Sequence, residues 1–352
     1  MKTFVLDYEE GFDLSGYCSK NKIKDKKYQS ILVQIFSGKI TKTYLKKVGQ
    51  AVKKELPQSI IMGATTAGEI LHGEMVRNKT VISITCFEET LLNCEILTQT
   101  KDSFSLGSEL AKKVVQNDTK AIIAFGTGLT VNGEEFLKGI EKVNKKVTVA
   151  GGMAGDNEKF KATYIFNEKE IISNGAMAVS LNDKNLIVHN AYNFDWQNIG
   201  KFMEVTKACQ NRIYEINDRP VTEVYATYLG EEVAKKLPTV EFPLILKKHG
   251  MNVARDVLNK FEDGSLFLGG NIKIGDKVQF GYGNVDLILR SFAKIYLELQ
   301  GNPIESVFVY SCTARRIFLG KSIEKEILPL NNIADTSGFF TYGEFFHVDD
   351  AH

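Results

Sequence analysis

Three short glycine-containing segments recur along the chain, and they constrain its fold more than any other feature. They are Gly63–Glu69, Ala150–Asp156 and Gly338–Glu344, which we call the first, second and third Gly turns. Each ends in Gly followed by a carboxylate, and each has a small residue five positions before that Gly. Each also follows an apolar strand pattern and a helix-like stretch. A recurring unit of this kind predicts a repeat architecture.

The Gly turns allow two interpretations. Turns of this type bring backbone N–H groups close to a ligand, which favours a binding site. Alternatively, three strand ends each need a tight turn and tolerate an acid there. A phosphate loop is excluded because Gly63-x4-Gly68 is followed by Glu69 rather than by Lys and Ser or Thr. The Gly turns also lack the G-x-G-x-x-G pattern of a dinucleotide site.

The first two Gly turns each belong to a similar series of elements. The first series predicts a strand over 31–36, a helix over 44–56, a strand over 59–62, and later strands over 81–87 and 91–100. The second predicts a helix over 106–115, a strand over 121–125, a helix that begins after Asn132, a strand over 147–150, and strands over 163–166, 175–181 and 186–191. We therefore predict an internally duplicated strand-helix-strand-turn unit with antiparallel neighbouring strands.

The pattern changes near residue 218. The turn signal Asn217–Pro220 precedes a predicted helix over 221–229, and a second helical stretch ends at Pro238. The remaining predicted elements are strands over 242–246, 253–260, 266–269 and 278–280, with a hairpin at Gly275-Asp276, a helix over 285–299 and a strand over 307–310. The predicted fold class is α/β with α+β character, in two mixed-sheet modules, 1–218 and 219–352. The third Gly turn then belongs to a differently built module, and exact three-fold repetition is not expected.

Composition limits the classes of partner and compartment. The net charge is +1, which does not favour a nucleic-acid groove. No apolar run reaches about 18 residues, so we expect no membrane insertion. The five cysteines contain no Cys-x-x-Cys pair, which is typical of a reducing cytoplasm.

Candidate ligand-binding residues are found at the Gly turns and after the strand over 307–310. Hydroxyls and acids at flexible backbone can bind polar ligand groups, and an Arg presents a planar fork to a carboxylate. The candidates are Thr65, Thr66, Glu69, Gly151, Gly152, Asp156, Cys312, Arg315, Tyr342 and Glu344. Asn132 either caps its helix or helps to form an anion site at the helix N-terminus.

Cys312, Arg315 and Arg316 leave three alternatives open. One arginine forms a structural ion pair and the other lies in solvent, or Arg315 binds a ligand carboxylate, or Cys312 is a nucleophile activated by nearby positive charge. No His lies near Cys312 in the sequence to act as a base. We predict no catalytic residue and no metal site, and the cysteine-dependent enzyme is an alternative.

The histidines offer one further alternative. They are His72, His189, His249, His347 and His352, and none lies in an H-E-x-x-H or C-x-x-C-H motif. We therefore predict no cofactor. Non-covalent haem needs only one axial His in an apolar pocket and stays an alternative.

Taken together, these segments resemble the FIST sensory domains, with an N-terminal FIST module followed by a FIST C module. The resemblance covers roughly residues 30–346. The residues that carry it are the three Gly turns, Asn132–Leu137 and Ser311–Arg315, in the order of the family. The chain departs from the family at Thr127-Gly128, where an Asp-Gly pair is common.

The resemblance implies a cytoplasmic input module for signal transduction that binds a small, amino-acid-like ligand. It also implies a signalling partner, such as an output domain, a kinase or a chemoreceptor. A branch of the family is thought to sense nitric oxide through haem. No output domain follows within 352 residues, so the chain is expected to be a stand-alone sensor or a segment of a longer one.

Overall fold

The structure is a computed structural model that describes residues 1–248 and 251–347. His249 and the segment Val348–His352 lie outside the described residues. The sequence of that segment contains no capping or helix stop signal. The chain divides into two compact units. Unit 1 contains Met1–Tyr192, Ile295–Thr313 and the residues from Lys321 onward, and unit 2 contains Asn193–Lys294 and Ala314–Gly320. The compact units do not follow the predicted boundary between residues 218 and 219, because unit 2 begins at Asn193 and the chain returns to unit 1 at Ile295. The two sequence modules, 1–218 and 219–352, stay a prediction.

The N-terminal part of unit 1, from Lys2 to Asn182, consists of two copies of one supersecondary unit, as the sequence predicts. The first copy contains β1 (Lys2–Asp7), α1 (Leu14–Lys20), β2 (Ser30–Ser37), α2 (Lys42–Glu55), β3 (Ile60–Thr65), β4 (Glu69–Leu71), β5 (Glu74–Val76) and β6 (Thr80–Phe87). The second contains β7 (Leu91–Thr98), α3 (Ser103–Val114), β8 (Thr119–Gly126), α4 (Gly133–Val143), β9 (Thr148–Met153), β10 (Ile165–Phe166), β11 (Ile171–Ile172) and β12 (Gly175–Asn182). The strand orders β1-β6-β2-β3 and β7-β12-β8-β9 match position by position.

The two copies pack as a helix–sheet–sheet–helix sandwich. Alternate residues of β2 face opposite sides: Val33 packs with α1 and α2, whereas Phe36 packs against the second sheet. In β8, Ile123 faces the first sheet and Ile122 faces α3 and α4. Period-two burial on both faces explains why these strands read as continuous apolar runs.

The remaining described elements follow the second copy. They are β13 (Gln197–Cys209), β14 (Arg212–Ile216), β15 (Arg219–Pro220), α5 (Val221–Leu229), α6 (Glu231–Lys235), β16 (Leu244–Lys248), β17 (Met251–Arg255), β18 (Val257–Lys260), β19 (Leu266–Leu268), β20 (Lys277–Tyr282), α7 (Val285–Gln300), β21 (Val307–Cys312), α8 (Thr313–Leu319), a 3₁₀ turn (Gly320–Ile323), α9 (Glu324–Ile327), a 3₁₀ turn (Leu328–Asn332), β22 (Thr336–Thr341) and β23 (Glu344–His347). Strands β13–β20 form the antiparallel sheet of unit 2. Its apolar face packs on α5 and α6.

Three sequence predictions were wrong in detail. The segment 186–191 forms no strand, and Ile187 is 74% exposed. Gly275-Asp276 forms a turn but not a hairpin, because β20 pairs with β13 and β16 whereas β19 pairs with β14 and β18. The predicted strand over 253–260 is divided into β17 and β18.

The third Gly turn lies in unit 1 and completes a third copy of the strand-helix-strand core. Strands β21 and β22 are parallel neighbours, like β2 and β3 and like β8 and β9. The strand after each Gly turn pairs with the core of another copy: β4 with β22, β10 with β3, and β23 with β9. Because all three copies exchange a strand in this cyclic way, unit 1 is closer to three-fold symmetry than the sequence predicts.

Three aromatic rings pack where the three copies meet. Phe36, Phe125 and Tyr310 come from near the ends of β2, β8 and β21. Their centroids are 6.0 Å, 5.9 Å and 6.5 Å apart, which forms a nearly equilateral triangle of edge-on contacts. Such pairs add about 0.5–1.5 kcal/mol each beyond the area that they bury. The pseudo-three-fold axis of unit 1 therefore passes through a packed aromatic core.

No helix in the described part of the chain is both long enough and apolar enough to cross a membrane.

Candidate functional site

The three Gly turns converge into a closed ring of backbone hydrogen bonds. The N–H of Ala67 donates to Phe340 O at 2.9 Å, that of Tyr342 donates to Met153 O at 3.0 Å, and that of Gly155 donates to Thr65 O at 2.8 Å. Each turn therefore donates to another copy. These three N–H groups are thus used in bonds between the turns.

The close approach in this ring explains the glycines. A Cβ on Gly155 would lie 2.7 Å from Ala67 N, so only glycine fits there without a shift of the first turn. Gly151 has φ +134, and a Cβ there would lie 1.9 Å from Ala124 O of the neighbouring strand. Its role is thus set by strand packing, and Gly152 follows it within β9.

The ring lies at the carboxyl ends of the three parallel strand pairs. Ser37, Gly126 and Cys312 are the last residues of β2, β8 and β21, and they pair with Thr65, Met153 and Thr341. In α/β proteins ligands bind outside this end of a sheet. The topology therefore makes the Gly turns the candidate site of unit 1.

Glu69 ends the first turn and is completely buried. Its Oε1 accepts a short hydrogen bond from the Thr66 hydroxyl, and its Oε2 accepts one from the Lys79 N–H at 3.0 Å. Burial raises the pKa of this carboxyl to about 7, although both hydrogen bonds and the positive charge of Arg77 lower it. The charge of Glu69 can therefore change near neutral pH.

Asp156 ends the second turn and is also completely buried. Its carboxylate accepts hydrogen bonds from the backbone N–H groups of Phe160 at 2.8 Å, Lys161 at 2.6 Å and Ala162 at 3.0 Å, and from the Tyr342 hydroxyl. Burial favours the neutral form, but these hydrogen bonds outweigh it and lower the pKa of Asp156. Asp156 is thus an ionised group that organises the segment after it.

Glu344 ends the third turn and is exposed. Thr341 donates to its Oε1 at 3.1 Å and accepts from the Gly343 N–H at 3.1 Å. The first turn has the same Thr-x-Gly-Glu pattern, in which Thr66 accepts from the Gly68 N–H at 3.4 Å. The two turns differ mainly in the burial of the acid.

The other predicted site residues have separate surroundings. Thr65 donates to Tyr164 O and accepts from the Tyr164 N–H, so its hydroxyl fixes the approach to β10. Cys312 ends β21 and is half-buried. Arg315 lies in unit 2, where it is buried and donates to Phe194 O at 3.3 Å. Its proposed role at the Gly turns stays a prediction.

Sequence reasoning missed the segment 157–162, which we call the strap. Three of its six residues, Asn157, Glu158 and Phe160, have left-handed φ values of 55, 63 and 51, although none is a glycine. Asn157 ties the strap to the first turn, where its N–H donates to Thr66 O, and to the residue after β2, where its Nδ2 donates to Gly38 O, both at 3.0 Å. The only sequence signal was an aromatic residue, Phe160, among polar and charged neighbours.

The structure also locates the capping residue and the described histidines. Asn132 accepts from the Glu135 N–H at 3.2 Å and caps α4, as predicted. Of the described histidines, His72 and His189 are exposed, and His347 lies 2.9 Å from Lys145 O. Within residues 1–248 and 251–347, no three His, Cys, Asp or Glu side chains are grouped closely enough to hold a metal ion.

A shallow depression of about 290 Å³ lies at the opposite end of β9, next to Thr148. It is formed by the segment 188–191 and the end of α7, and Val188 and His189 are exposed there. Its volume is at the lower limit for a small-molecule site. It lies away from the carboxyl ends of the strands, and none of the residues that line it is a buried acid.

Comparison with known families agrees with this architecture. A FIST N domain matches residues 31–219, and a FIST C domain matches residues 222–347. No curated protein matches the chain.

Proposed function

The chain belongs to the FIST family of signal-transduction sensor domains, and we propose that it binds a small, amino-acid-like ligand beside the Gly turns. The observation that carries this proposal is the convergence of the three turns, the first of which ends in a buried carboxyl, Glu69, whose pKa is raised to about 7. Perturbed acids at the carboxyl ends of strands are typical of functional sites.

A zwitterionic ligand has a complement within unit 1. Its ammonium group would favour the ionised form of Glu69, which ends the first turn, and would be attracted by the anion of Asp156, which ends the second. Arg77 lies near enough to Glu69 for its positive charge to lower the carboxyl pKa, and its guanidinium is exposed. Arg77 donates to Glu158 of the strap at 3.2 Å, and a ligand carboxylate would compete for this cation. A few charge-assisted hydrogen bonds of about 1.5–3 kcal/mol each, with some apolar burial, reach the roughly 8 kcal/mol of micromolar binding.

The proposal has a signature in proton release. A cationic group next to Glu69 lowers the carboxyl pKa from about 7 and drives a proton into the buffer. Titration calorimetry with a panel of L-amino acids at pH 7, in phosphate and in Tris buffers, measures both the affinity and the protons released. We expect micromolar binding of at least one amino acid, with release of up to about half a proton.

The variant Glu69→Gln separates this mechanism from simple binding. We expect it to abolish the proton release and to weaken binding at least tenfold, because the amide cannot take a negative charge. The matched control is Glu89→Gln, since Glu89 is exposed in the turn between β6 and β7. If Glu69→Gln binds with unchanged affinity and unchanged proton release, Glu69 does not contact the ligand. If wild type binds no amino acid, the ligand class is wrong.

We also propose a class of signalling partner for this chain. FIST modules act as inputs, so an output domain, a kinase or a chemoreceptor would receive the signal.

A further inference from the structure

The backbone of the strap is unfavourable for the residue that it presents. Phe160 is 48% exposed, and its φ of 51 lies in the left-handed region that a bulky side chain rarely adopts. Such conformations persist only where the surroundings impose them, and they cluster at functional sites. An exposed phenyl ring in this conformation therefore calls for a cause.

The surroundings of the strap support this backbone and one face of the ring. Asp156 accepts from the N–H of Phe160 and from the next two residues, so one buried carboxylate fixes the turn. One face of the ring stacks on Tyr342 with a centroid distance of 4.7 Å and an interplanar angle of 17°. The Tyr342 hydroxyl in turn donates to Asp156. The rest of the Phe160 ring remains open to solvent.

Tyr342 also distinguishes one side of the ring of turns from the other two. The residue before the last Gly is Ala67 in the first turn and Ala154 in the second, and both are completely buried. The third turn has Tyr342 at this place, and its side chain gives Phe160 a stacking partner. The aromatic pair thus breaks the three-fold repetition at one edge of the candidate site. The strap that carries Phe160 is bonded there to the first turn, through the Asn157 N–H and Thr66 O.

We propose that Phe160 determines the ligand specificity of unit 1, because its open face packs against the apolar or aromatic side chain of the ligand. The inference rests on the proposed function and names the substrate class: amino acids with aromatic or large aliphatic side chains, rather than small polar ones. A rigid, pre-positioned aromatic ring contributes binding area at little cost in conformational entropy.

Titration calorimetry of wild type and Phe160→Ala with L-phenylalanine, L-leucine and L-serine tests this specificity. We expect Phe160→Ala to lose at least tenfold in affinity for phenylalanine and leucine, and less than twofold for serine. Tenfold corresponds to about 1.4 kcal/mol. Phe160→Tyr keeps the stacking face and is expected to bind within threefold of wild type. The matched control is Phe12→Ala, since Phe12 is 36% exposed and its ring lies 5.8 Å from Tyr17.

The outcomes separate this inference from the function on which it rests. If wild type binds amino acids and Phe160→Ala binds phenylalanine equally well, the specificity role is wrong and the proposed function stands. Tighter binding of serine than of phenylalanine by wild type also overturns it. If no amino acid binds, the proposed ligand class fails, and saturation-transfer NMR with benzoate and phenethylamine decides about Phe160. A fragment signal that is lost in Phe160→Ala supports the aromatic contact, and absence of a signal in wild type refutes it.

Discussion

Glu69 and Asp156 end equivalent turns of two copies of one supersecondary unit, and neither is exposed to solvent, yet their pKa values move in opposite directions. Asp156 accepts three backbone N–H groups and a tyrosine hydroxyl, whereas Glu69 accepts one backbone N–H and a threonine hydroxyl. The comparison teaches that burial alone does not set the charge of an acid. The number of donors aimed at it decides which form is stable.

The difference assigns distinct roles to the two acids. Asp156 is a permanent anion that orders the strap, and it is therefore a structural group. Glu69 is balanced between two forms, so a nearby ligand charge can shift it. The duplicated fold thus provides one fixed acid and one responsive acid from the same type of turn.

The largest expected effect comes from removal of the fixed charge. Asp156→Asn places an amide where three backbone N–H groups converge, and its own NH₂ opposes some of them. We expect the free energy of unfolding at pH 7 to fall by about 3 kcal/mol, since hydrogen bonds to charged groups contribute about 1.5–3 kcal/mol. Urea denaturation followed by circular dichroism measures this change.

Asp25→Asn is the matched control for that variant. Asp25 is exposed and accepts one backbone N–H, from Lys27, at 3.2 Å. We expect a change within about 0.5 kcal/mol. Similar losses in both variants would show that the convergence of donors on Asp156 has no special weight. Because the pKa of Asp156 is lowered from 3.8, its contribution is present above pH 3.8 and is lost as the pH falls below that value.

The second effect is a pH dependence of the opposite sign at Glu69. The pKa of this carboxyl is raised from 4.5 to about 7, so the folded state holds a proton that the unfolded state releases. Its stabilising contribution is present below pH 4.5 and is lost as the pH rises through about 7. The shift corresponds to about 3 kcal/mol.

Comparison of wild type and Glu69→Gln by urea denaturation at pH 4.5 and pH 8 isolates this contribution. We expect the stability of the variant relative to wild type to rise by about 3 kcal/mol between the two values. A parallel pH dependence in the two proteins would mean that folding does not raise the pKa of Glu69, and the contrast with Asp156 would disappear.

Local signals in the sequence predicted much of the fold. Helical spacing of apolar residues predicted a helix over 44–56, and α2 spans Lys42–Glu55. The order of elements around the first two Gly turns predicted the duplication, which the matching strand orders confirm. These features depend on neighbours along the chain, and a single sequence contains that information.

The cyclic exchange of strands could not be predicted in the same way. Pairing of β4 with β22 joins residues that lie more than 250 positions apart, and a strand three residues long carries no signal for its partner. The segment 186–191 shows the converse error, because its apolar residues predict a strand but no ladder forms there. Strand pairing depends on tertiary context more than on propensity.

The candidate site was predicted only in outline. The acids at the turns were identified, but the opposite shifts of their pKa values depend on donors such as the N–H groups of Lys79 and Lys161, which lie outside the Gly turns. The strap was missed because a left-handed Phe160 contradicts local propensity. Such conflicts between local preference and structure are expected at functional sites.

The smallest expected effect compares the two turns that share the Thr-x-Gly-Glu pattern. Thr66→Val removes the hydroxyl that bonds buried Glu69, and Thr341→Val removes the one that bonds exposed Glu344. We expect losses of about 1–2 kcal/mol for Thr66→Val and less than about 1 kcal/mol for Thr341→Val, because water can replace the donor only at Glu344. In both variants a Gly N–H loses its hydroxyl acceptor, so that loss cancels in the comparison. Urea denaturation at pH 8 is the sharpest condition, since ionised Glu69 then depends most on its donors. Equal losses in the free energy of unfolding would show that the threonine stabilises the turn backbone and that burial of the acid adds nothing.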